Sequence, residues 1–378
     1  MEYIPLLILA VAWIIAYFLL KFVFRIEVRG VKLYPLGFII KSERSVKIFD
    51  QIVSAAPSII KVASDLGIAL GFGMMAFAIY VLGRNLGTYL FAPAQVGPQN
   101  IVIPLVIGVT IRLEHLPYML IALGIVLLTH EGMHGVIARL EGIKLRSTGL
   151  FLFYLFPGGF VEPDEKQFKK APSRTRARIA AGGSLANLAV GVLVILLMMA
   201  AFSPVEAGVV VLETGNHAAE IHVNDVIYSV NDVPINRATL YQNISASGNL
   251  TIKTNRGVIT YSLEKPINMP IAWILWELGV RRLDYYFPMR VPLWSPQAEY
   301  SLYRIFWWTQ LIAINVAIFN MMPIYLLDGS LLVNSLLEPR LRNEKALKAL
   351  NYALTGFCIA LIALNMAFTF KTFGFLRI

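Results

Sequence analysis

The sequence predicts a polytopic α-helical membrane protein with about six transmembrane helices, re-entrant β segments and a small extracytoplasmic α+β domain. Composition is the first indication, because 57% of the 378 residues are hydrophobic and only 15% are charged. In soluble globular chains, about a quarter of all residues are usually charged. The second indication is a set of long apolar stretches, and the third is a polar stretch, Pro204–Lys265, that interrupts them.

Six apolar stretches are long enough to cross about 30 Å of hydrocarbon as helices. The first has no basic segment before it and no small-residue cleavage site after it, so we expect a retained helix and not a cleaved signal peptide. The single cysteine, Cys358, lies in the last stretch, where we expect a buried packing thiol. The stretches are Ile4–Leu20, Asp65–Gly83, Pro117–Leu140, Ile179–Phe202, Leu302–Met322 and Leu347–Phe370.

The basic residues predict the orientation of the chain in the membrane. The net charge of +10 would suit a nucleic-acid-binding protein, but more than half of the 33 Lys and Arg residues lie in three loops, Lys21–Lys47, Arg139–Arg178 and Glu338–Lys348. With six spans these loops fall on one side, which the positive-inside rule makes cytoplasmic. We therefore expect an integral protein of the cell membrane with both termini outside, the lipid bilayer as a partner, and no nucleic acid.

Two shorter apolar segments do not fit simple spans. Ile101–Arg112 is rich in β-branched residues and contains Pro104, and Phe151–Val161 is aromatic and broken by Gly158 and Gly159. Irregular backbone at membrane depth is tolerated only where it is buried in protein or lines a watery cavity. Both segments therefore predict re-entrant structure around an interior chamber.

The polar stretch Pro204–Lys265 predicts a small domain of short strands on the outer side. Within it, Ala218–Asn236 resembles the PDZ pattern D-x-I-x-x-V-N-x-x-P-I, with Asn224 where that family usually has glycine. PDZ domains bind an extended peptide as an added strand, and the alternative is a β domain that only fills space. The predicted strands are Val209–Glu213, Asp225–Val230, Leu250–Thr254 and Gly257–Leu263, and the matching residues are Asp225, Ile227, Val230, Asn231, Pro234 and Ile235.

These features divide the chain into five parts. An N-terminal part with membrane helices, a basic loop and a re-entrant hairpin is followed by one half of a membrane core, the PDZ-like domain, an interfacial segment and the other half of the core. The interfacial segment contains the Trp-rich stretch Ile271–Val280, which we expect to rest on the outer leaflet. The parts are residues 1–116, 117–203, 204–266, 267–300 and 301–378.

The third apolar stretch carries an H-E-x-x-H motif at His130, Glu131 and His134. On a helix the two histidines lie on one face and can share a metal ion, and the glutamate beside them can take a proton from water. Zinc suits such a site because it is redox-inert and accepts nitrogen and oxygen ligands. Ionisable groups within a membrane helix are costly and usually mark function, so chance occurrence is the weaker explanation.

Two histidines and water leave a tetrahedral zinc ion one ligand short. The candidate is Asp328, a carboxylate among apolar residues that follows the fifth stretch and lies, like His134, near its predicted cytoplasmic end. The alternative is that Asp328 caps the next helix, predicted over Gly329–Leu337, because Asp is favoured at helix N-caps.

This combination resembles the site-2 protease family, whose members pair H-E-x-x-H in one membrane helix with N-x-x-P-x-x-x-L-D-G in a later one, here Asn320–Gly329. The resemblance covers about Pro117–Gly329 and implies one Zn²⁺ held by His130, His134 and Asp328, with Glu131 as general base. Pro157–Val161 and Gly183–Asn187 are similar to further motifs of the family. Ser184 and Tyr325 stand where the family usually has proline.

The resemblance implies an intramembrane zinc metalloprotease that cuts single-pass membrane proteins already shortened by another protease, with the PDZ-like domain gating access. Asn187 and Asn320 would contact the substrate or the oxyanion, or instead bond helices together. Gly158, Gly159 and Phe160 would offer a strand edge to the unwound substrate. The rival interpretations are a zinc-binding membrane scaffold or transporter, for which Glu131 is dispensable, and a proteolytically inactive relative.

Overall fold

The computed structural model describes residues 4–25, 30–42, 46–106, 109–215, 220–341 and 343–376. Long helices dominate this part of the chain, as the apolar stretches predict. The helices are α1 (Ile4–Phe18), α2 (Val46–Ala55), α3 (Pro57–Phe91), α4 (Leu116–Leu140), α5 (Glu165–Lys170), α6 (Ser173–Ala201), α7 (Ile271–Glu277), α8 (Pro296–Asn320), α9 (Asp328–Leu337) and α10 (Glu344–Phe373).

Five of the six predicted spans are confirmed as helices long and apolar enough to cross a membrane, namely α3, α4, α6, α8 and α10. The first predicted span corresponds to α1, which has 15 residues and continues into the π-helical turn Leu19–Val23. This helix is shorter than the other five within the described residues, so its crossing of the bilayer stays a prediction. Cys358 is buried on α10, as expected for a packing thiol.

The first sheet contains two strands that the sequence analysis missed. It is antiparallel, in the order β1-β2-β3-β4, and its first two strands lie in the loop that we had interpreted only as basic. The predicted re-entrant stretch Phe151–Val161 forms the tip of the β3–β4 hairpin. The four strands are β1 (Val31–Tyr34), β2 (Gly37–Ser42), β3 (Leu145–Phe153) and β4 (Phe156–Pro163).

The other predicted re-entrant segment, Ile101–Arg112, contains no strand in its described residues. A compact turn takes the place of a hairpin, because the Val106 carbonyl accepts from the amides of Val109, Thr110 and Ile111. The Val106 amide in turn donates to Thr110 Oγ1 at 2.9 Å. Pro104 has no amide hydrogen to contribute to a sheet ladder, which works against the predicted strand.

Strand β4 packs along α4. A Cβ atom on Gly159 would lie 3.2 Å from Leu128 Cδ2, and one on Gly135 would lie 3.1 Å from Val161 Cγ1 and 2.7 Å from Phe49 Cε1. The small residues therefore let the sheet and α2 approach α4 closely. This contact positions β4 beside the helix that carries the H-E-x-x-H motif.

A second sheet is formed by the polar region. Its strand order is β10-β9-β6-β5-β12, with β7 paired to β6, and a separate pair joins β11 to β8. The four strands expected within Val209–Leu263 are all present. The strands are β5 (Val209–Thr214), β6 (Val226–Val230), β7 (Val233–Pro234), β8 (Asn243–Ala246), β9 (Asn249–Thr254), β10 (Gly257–Ser262), β11 (Ile267–Pro270) and β12 (Val280–Tyr285).

The β domain continues beyond the stretch 204–266 that we had predicted for it. Ile271, Ile274 and Leu275 of α7 are buried in the same hydrophobic core as the strands, whereas Trp273 and Trp276 are exposed. The helix expected to rest on the outer leaflet therefore also contributes to this core, and its contact with the leaflet stays a prediction. Sequence analysis did not predict this extension of the domain, because the packing of α7 and the pairing of β12 with β5 join residues far apart in the chain.

The chain divides into two compact units, one formed by Met1–Val192 with Trp308–Ile378 and the other by Leu193–Trp307. In the second unit, the two connections between the sheet and the ends of α6 and α8 run side by side. Ser203 N donates to Pro288 O at 2.9 Å, and Phe202 forms a β-bridge with Met289. These connections are thus joined by main-chain hydrogen bonds.

Arg178 links three helices of the first unit. Its guanidinium donates to Asp65 of α3 at 2.7 and 2.8 Å and to Glu141 at the end of α4. The Arg178 side chain is only 7% exposed, so the two carboxylates share a buried cation. Arg174 contacts the same Asp65 at 2.9 Å, but it is 69% exposed.

We predict that Arg178→Ala destabilises the protein much more than Arg174→Ala. Removing one partner of a buried ion pair costs about 3–5 kcal/mol because a charge is left unpaired, whereas a surface pair contributes about 0–1 kcal/mol. Thermal unfolding of the purified variants in a mild detergent measures the difference. Equal shifts of the two midpoints would contradict the assigned role of Arg178.

Candidate metal centre

Helix α4 brings His130 and His134 together, one helical turn apart. Their Nε2 atoms are 3.2 Å apart, and the ring planes are nearly perpendicular, at 82°. The two side chains are 6% and 14% exposed. Two imidazole nitrogens this close, in a largely buried place, form one half of a metal-binding cluster.

Asp328 completes the cluster from α9. Its Oδ2 atom lies 3.0 Å from His130 Nε2 and 3.3 Å from His134 Nε2. The carboxylate does not cap α9, because the N-cap residue is Leu327 and Asp328 is already within the helix. The capping alternative is therefore not what the structure contains.

The turn before α9 explains the residues next to Asp328. A Cβ atom on Gly329 would lie 2.1 Å from the main-chain oxygen of Met321, so only glycine fits this close approach. Leu326 has a φ of +79°, in the left-handed region that a bulky residue rarely adopts. This tight return of the chain from α8 is what directs Asp328 at the histidines.

The donor set fits a metal ion. The ligand atoms of His130, His134 and Asp328 all lie within 4.8 Å of one another. Asp328 Oδ2 is buried and, among the described residues, lies against the Nε2 atoms of both histidines. A buried carboxylate is costly unless it is paired, and a metal ion bound by both imidazoles would pair it. The cluster is therefore a candidate metal site of two imidazoles and one carboxylate.

Helix α6 packs on the cluster through Gly183. A Cβ atom there would come within 2.5 Å of His130 Cε1 and of His134 Nε2. Four residues before it, the Ile179 carbonyl lies 2.7 Å from His134 Nδ1, and four residues after it, one end of the Asn187 side-chain amide lies 3.0 Å from His130 Nδ1. One face of α6 thus contacts both imidazoles.

Glu131 lies between the two histidines in sequence and is partly buried. Among the described residues, its carboxylate has no hydrogen-bond or ion-pair partner. A carboxylate without a partner, next to a candidate metal ligand, is available to accept a proton. Its predicted role as general base is compatible with this position.

The two predicted asparagines both reach His130, but at opposite nitrogens of the ring. Asn320 Nδ2 is 3.4 Å from Nε2, which is the atom that faces His134 and Asp328. Asn187 contacts Nδ1, on the far side from the cluster, and is fully buried. Asn320 therefore lies on the side of the ring that faces the cluster, and Asn187 does not.

The predicted substrate-binding residues Gly158, Gly159 and Phe160 lie on β4, next to α4 and not in the metal cluster. Gly159 approaches Leu128, two residues before His130. A Cβ atom on Gly158 would lie 2.1 Å from Phe151 Cζ, so the aromatic ring of the paired strand requires glycine there. Their proposed part in substrate binding stays a prediction.

Sequence analysis missed the contributions of Ile179 and Gly183. The spacing Ile179, Gly183 and Asn187 repeats every four residues, which places them on one face of a helix. A glycine in the middle of that face predicts close approach of a neighbouring element. This pattern was available from the sequence, whereas the identity of the neighbouring helix was not.

Comparisons with known proteins give one relative and one family. An uncharacterized protein of Methanocaldococcus jannaschii is 27% identical to this chain over 220 residues, which are 56% of this chain and 54% of the relative. The chain thus spans about half the length of the curated relative that it matches. The signature of Peptidase family M50 matches residues 118–363, about two thirds of the chain. That match runs from α4 past α9 and includes every residue of the metal cluster, so the chain belongs to Peptidase family M50.

Proposed function

We propose that this protein is an intramembrane zinc metallopeptidase of the site-2 protease type, which hydrolyses peptide bonds in or near the transmembrane helices of membrane-anchored substrates. The observation that carries the proposal is the triangle of His130 Nε2, His134 Nε2 and Asp328 Oδ2, with Glu131 beside it on an apolar helix. Its edges are 3.0, 3.2 and 3.3 Å. Membership of a family of membrane metallopeptidases supports it.

The triangle suits zinc in particular. Ligands about 2.0–2.1 Å from a tetrahedral zinc ion are roughly 3.3 Å from one another, which is close to the three separations in this cluster. Two imidazoles, one carboxylate and an open position are the ligand pattern of catalytic zinc sites. His130, His134 and Asp328 would hold the ion in this way.

The residues around the ligands have separate tasks in hydrolysis. When bound, zinc polarises the scissile carbonyl and lowers the pKa of a water molecule to about 7. Glu131 accepts the proton of the attacking water and passes it to the leaving amide nitrogen. Asn320, on the metal-facing side of His130, donates its amide N–H to the carbonyl oxygen as negative charge develops there.

The substrate must be extended before it can be cut, because a helix protects its own peptide bonds. Strand β4 is the last strand of its sheet, and within the described residues only β3 pairs with it. An unwound substrate would add to the free edge of β4, beside Gly158, Gly159 and Phe160 and along the helix that carries Glu131. This arrangement would bring the scissile bond to the zinc ligands.

The β domain would act as a size filter at the outer side, and not by capturing peptides along β5. One edge of β5 is paired with β6 and the other with β12, a six-residue strand of the same chain. Neither edge of β5 is therefore open to an added peptide strand. The proposed substrates are single-pass membrane proteins that an earlier protease has shortened. From the basic loops and the positive-inside rule, we further propose that the domain and both termini lie outside and that the metal site lies near the cytoplasmic side.

We predict that Glu131→Gln abolishes cleavage of a reporter transmembrane helix in liposomes, while zinc stoichiometry stays at that of the wild type. The substitution removes the proton acceptor and leaves the three ligands intact. Cleavage products resolved by gel electrophoresis measure activity, and Glu165→Gln on the exposed surface of α5 is the control for loss of one charge.

Cleavage by the Glu131→Gln variant at the wild-type rate would contradict the peptidase proposal. Zinc binding by both proteins, without cleavage of reporters of several sequences by the wild type, would favour a metal-binding scaffold or a transporter.

We predict that removal of the β domain allows cleavage of substrates that still carry a bulky outer domain. Ser203 and Pro288 are hydrogen-bonded neighbours, so Pro204–Phe287 can be replaced by a short glycine-rich turn without stretching the chain. The rates for intact and shortened substrates are compared in the wild type and in the deletion variant. If the variant still discriminates between the two substrates as the wild type does, the filter proposal is wrong.

A further inference from the structure

A histidine that binds a metal through one ring nitrogen must place its proton on the other. The partner of that second nitrogen fixes the tautomer and the orientation of the ring, and its removal typically weakens metal binding 10–100-fold. Each histidine of this cluster has such a partner on α6. The two partners differ in kind, which allows their roles to be assigned.

The partner of His134 has a single possible role. Nδ1 lies 2.7 Å from the Ile179 carbonyl oxygen, which can only accept a hydrogen bond. The proton of His134 is therefore on Nδ1, and the lone pair of Nε2 points at the cluster. The main chain of α6 thus sets the metal-binding tautomer of this residue.

The partner of His130 is the side-chain amide of Asn187. Its two ends contact His130 Nδ1 at 3.0 Å and Thr129 Oγ1 at 3.3 Å. The oxygen and nitrogen of an amide are assigned from the hydrogen bonds they make, because they have nearly the same shape. The surrounding hydrogen bonds must therefore decide which end faces the imidazole.

Thr129 decides between the two orientations. The two nearest acceptors for its hydroxyl hydrogen are the carbonyls of Ile125 and Val126, which lie 2.9 and 3.1 Å from Oγ1, whereas the Asn187 amide lies 3.3 Å away, so we assign the hydrogen to the main chain of α4. The Thr129 oxygen is then left as an acceptor, which suits the NH₂ end of Asn187. With this assignment the carbonyl end of Asn187 faces His130 and accepts a hydrogen bond from its Nδ1–H, so every group in the chain Ile125–Thr129–Asn187–His130 is satisfied.

Burial makes this arrangement consequential. Asn187 is fully buried and His130 is buried as well, so the side chains cannot exchange these bonds for water. The opposite orientation would put the proton of His130 on Nε2, the atom 3.0 Å from Asp328 Oδ2 that must carry the lone pair for a metal. In a buried site, a donor or acceptor left without a partner by the wrong tautomer costs the full desolvation free energy of that group.

We infer that Asn187 is a positioning residue that holds His130 in its metal-binding tautomer, and not a donor to the substrate or the oxyanion. The inference rests on the zinc site of the proposed function and concerns a residue that does not face the substrate. Asn320, at the other nitrogen of the same ring, keeps the donor role.

Two substitutions at Asn187 separate acceptor from donor. Asn187→Asp keeps an oxygen that accepts from His130 Nδ1 and removes the NH₂ group. Asn187→Leu has a similar volume and offers neither. Asn315→Leu is the matched control, because the Asn315 amide lies on another apolar helix and donates to Leu311 O of that helix at 2.8 Å.

The readouts are the zinc dissociation constant, from competition with a chelator, and the visible absorption spectrum of the cobalt-substituted protein. We expect Asn187→Leu to weaken zinc binding about 10–100-fold and to alter the cobalt spectrum. We expect Asn187→Asp and Asn315→Leu to retain the zinc affinity and spectrum of the wild type, and Asn187→Asp to retain cleavage.

Three results would overturn the inference. Asn187→Leu could bind zinc as tightly as the wild type, Asn187→Asp could bind it as weakly as the leucine variant while still eluting as folded protein, or Asn187→Asp could bind zinc normally and lose cleavage. The last result would show that the NH₂ group is a donor in the reaction. Failure of the wild type itself to bind zinc would instead overturn the proposed function.

Discussion

The close packing of α6 on α4 is the contact on which the candidate metal centre depends. Gly183 leaves room for both imidazoles, and a single added methyl group would occupy the space of His130 and His134. The same face of α6 then supplies a hydrogen-bond partner to each ring, one turn before and one turn after the glycine. Residues four apart on one helix thus meet residues four apart on the other, so that a shift of one residue between the helices would break all of these contacts.

Other parts of the first unit maintain that register. Arg178 immediately precedes Ile179 and ties α6 to α3 and α4 through two carboxylates. The third ligand arrives from later in the chain, where Gly329 packs on the main chain of Met321 and the turn before α9 directs Asp328 inward. Ionisable side chains within apolar helices are costly. They are tolerated here because the three side chains face one another. Each histidine also contacts a hydrogen-bond acceptor on α6 through its other ring nitrogen.

Local spacing explains why His130 and His134 of the candidate metal site could be brought together from sequence. H-E-x-x-H fixes its own geometry on a helix, and the length and polarity of the apolar stretches were enough for five spans. Contacts between distant segments could not be predicted in this way. Strand β2 is completed by β3, more than 100 residues later, and β12 pairs with β5 across the whole β domain. The role of Asn187 was ambiguous for the same reason, since the ring nitrogen it meets depends on the register of two helices.

X-ray absorption spectroscopy of the zinc-loaded, purified protein tests the central claim most directly, because it reports the atoms bound to the metal. The account predicts one zinc ion per chain with a shell of nitrogen and oxygen at about 2.0–2.1 Å, including two imidazoles. In Asp328→Ala the two imidazole contributions should remain, with weaker binding and an altered first shell. A shell with fewer than two imidazoles, or one that is the same in the wild type and in Asp328→Ala, would contradict it.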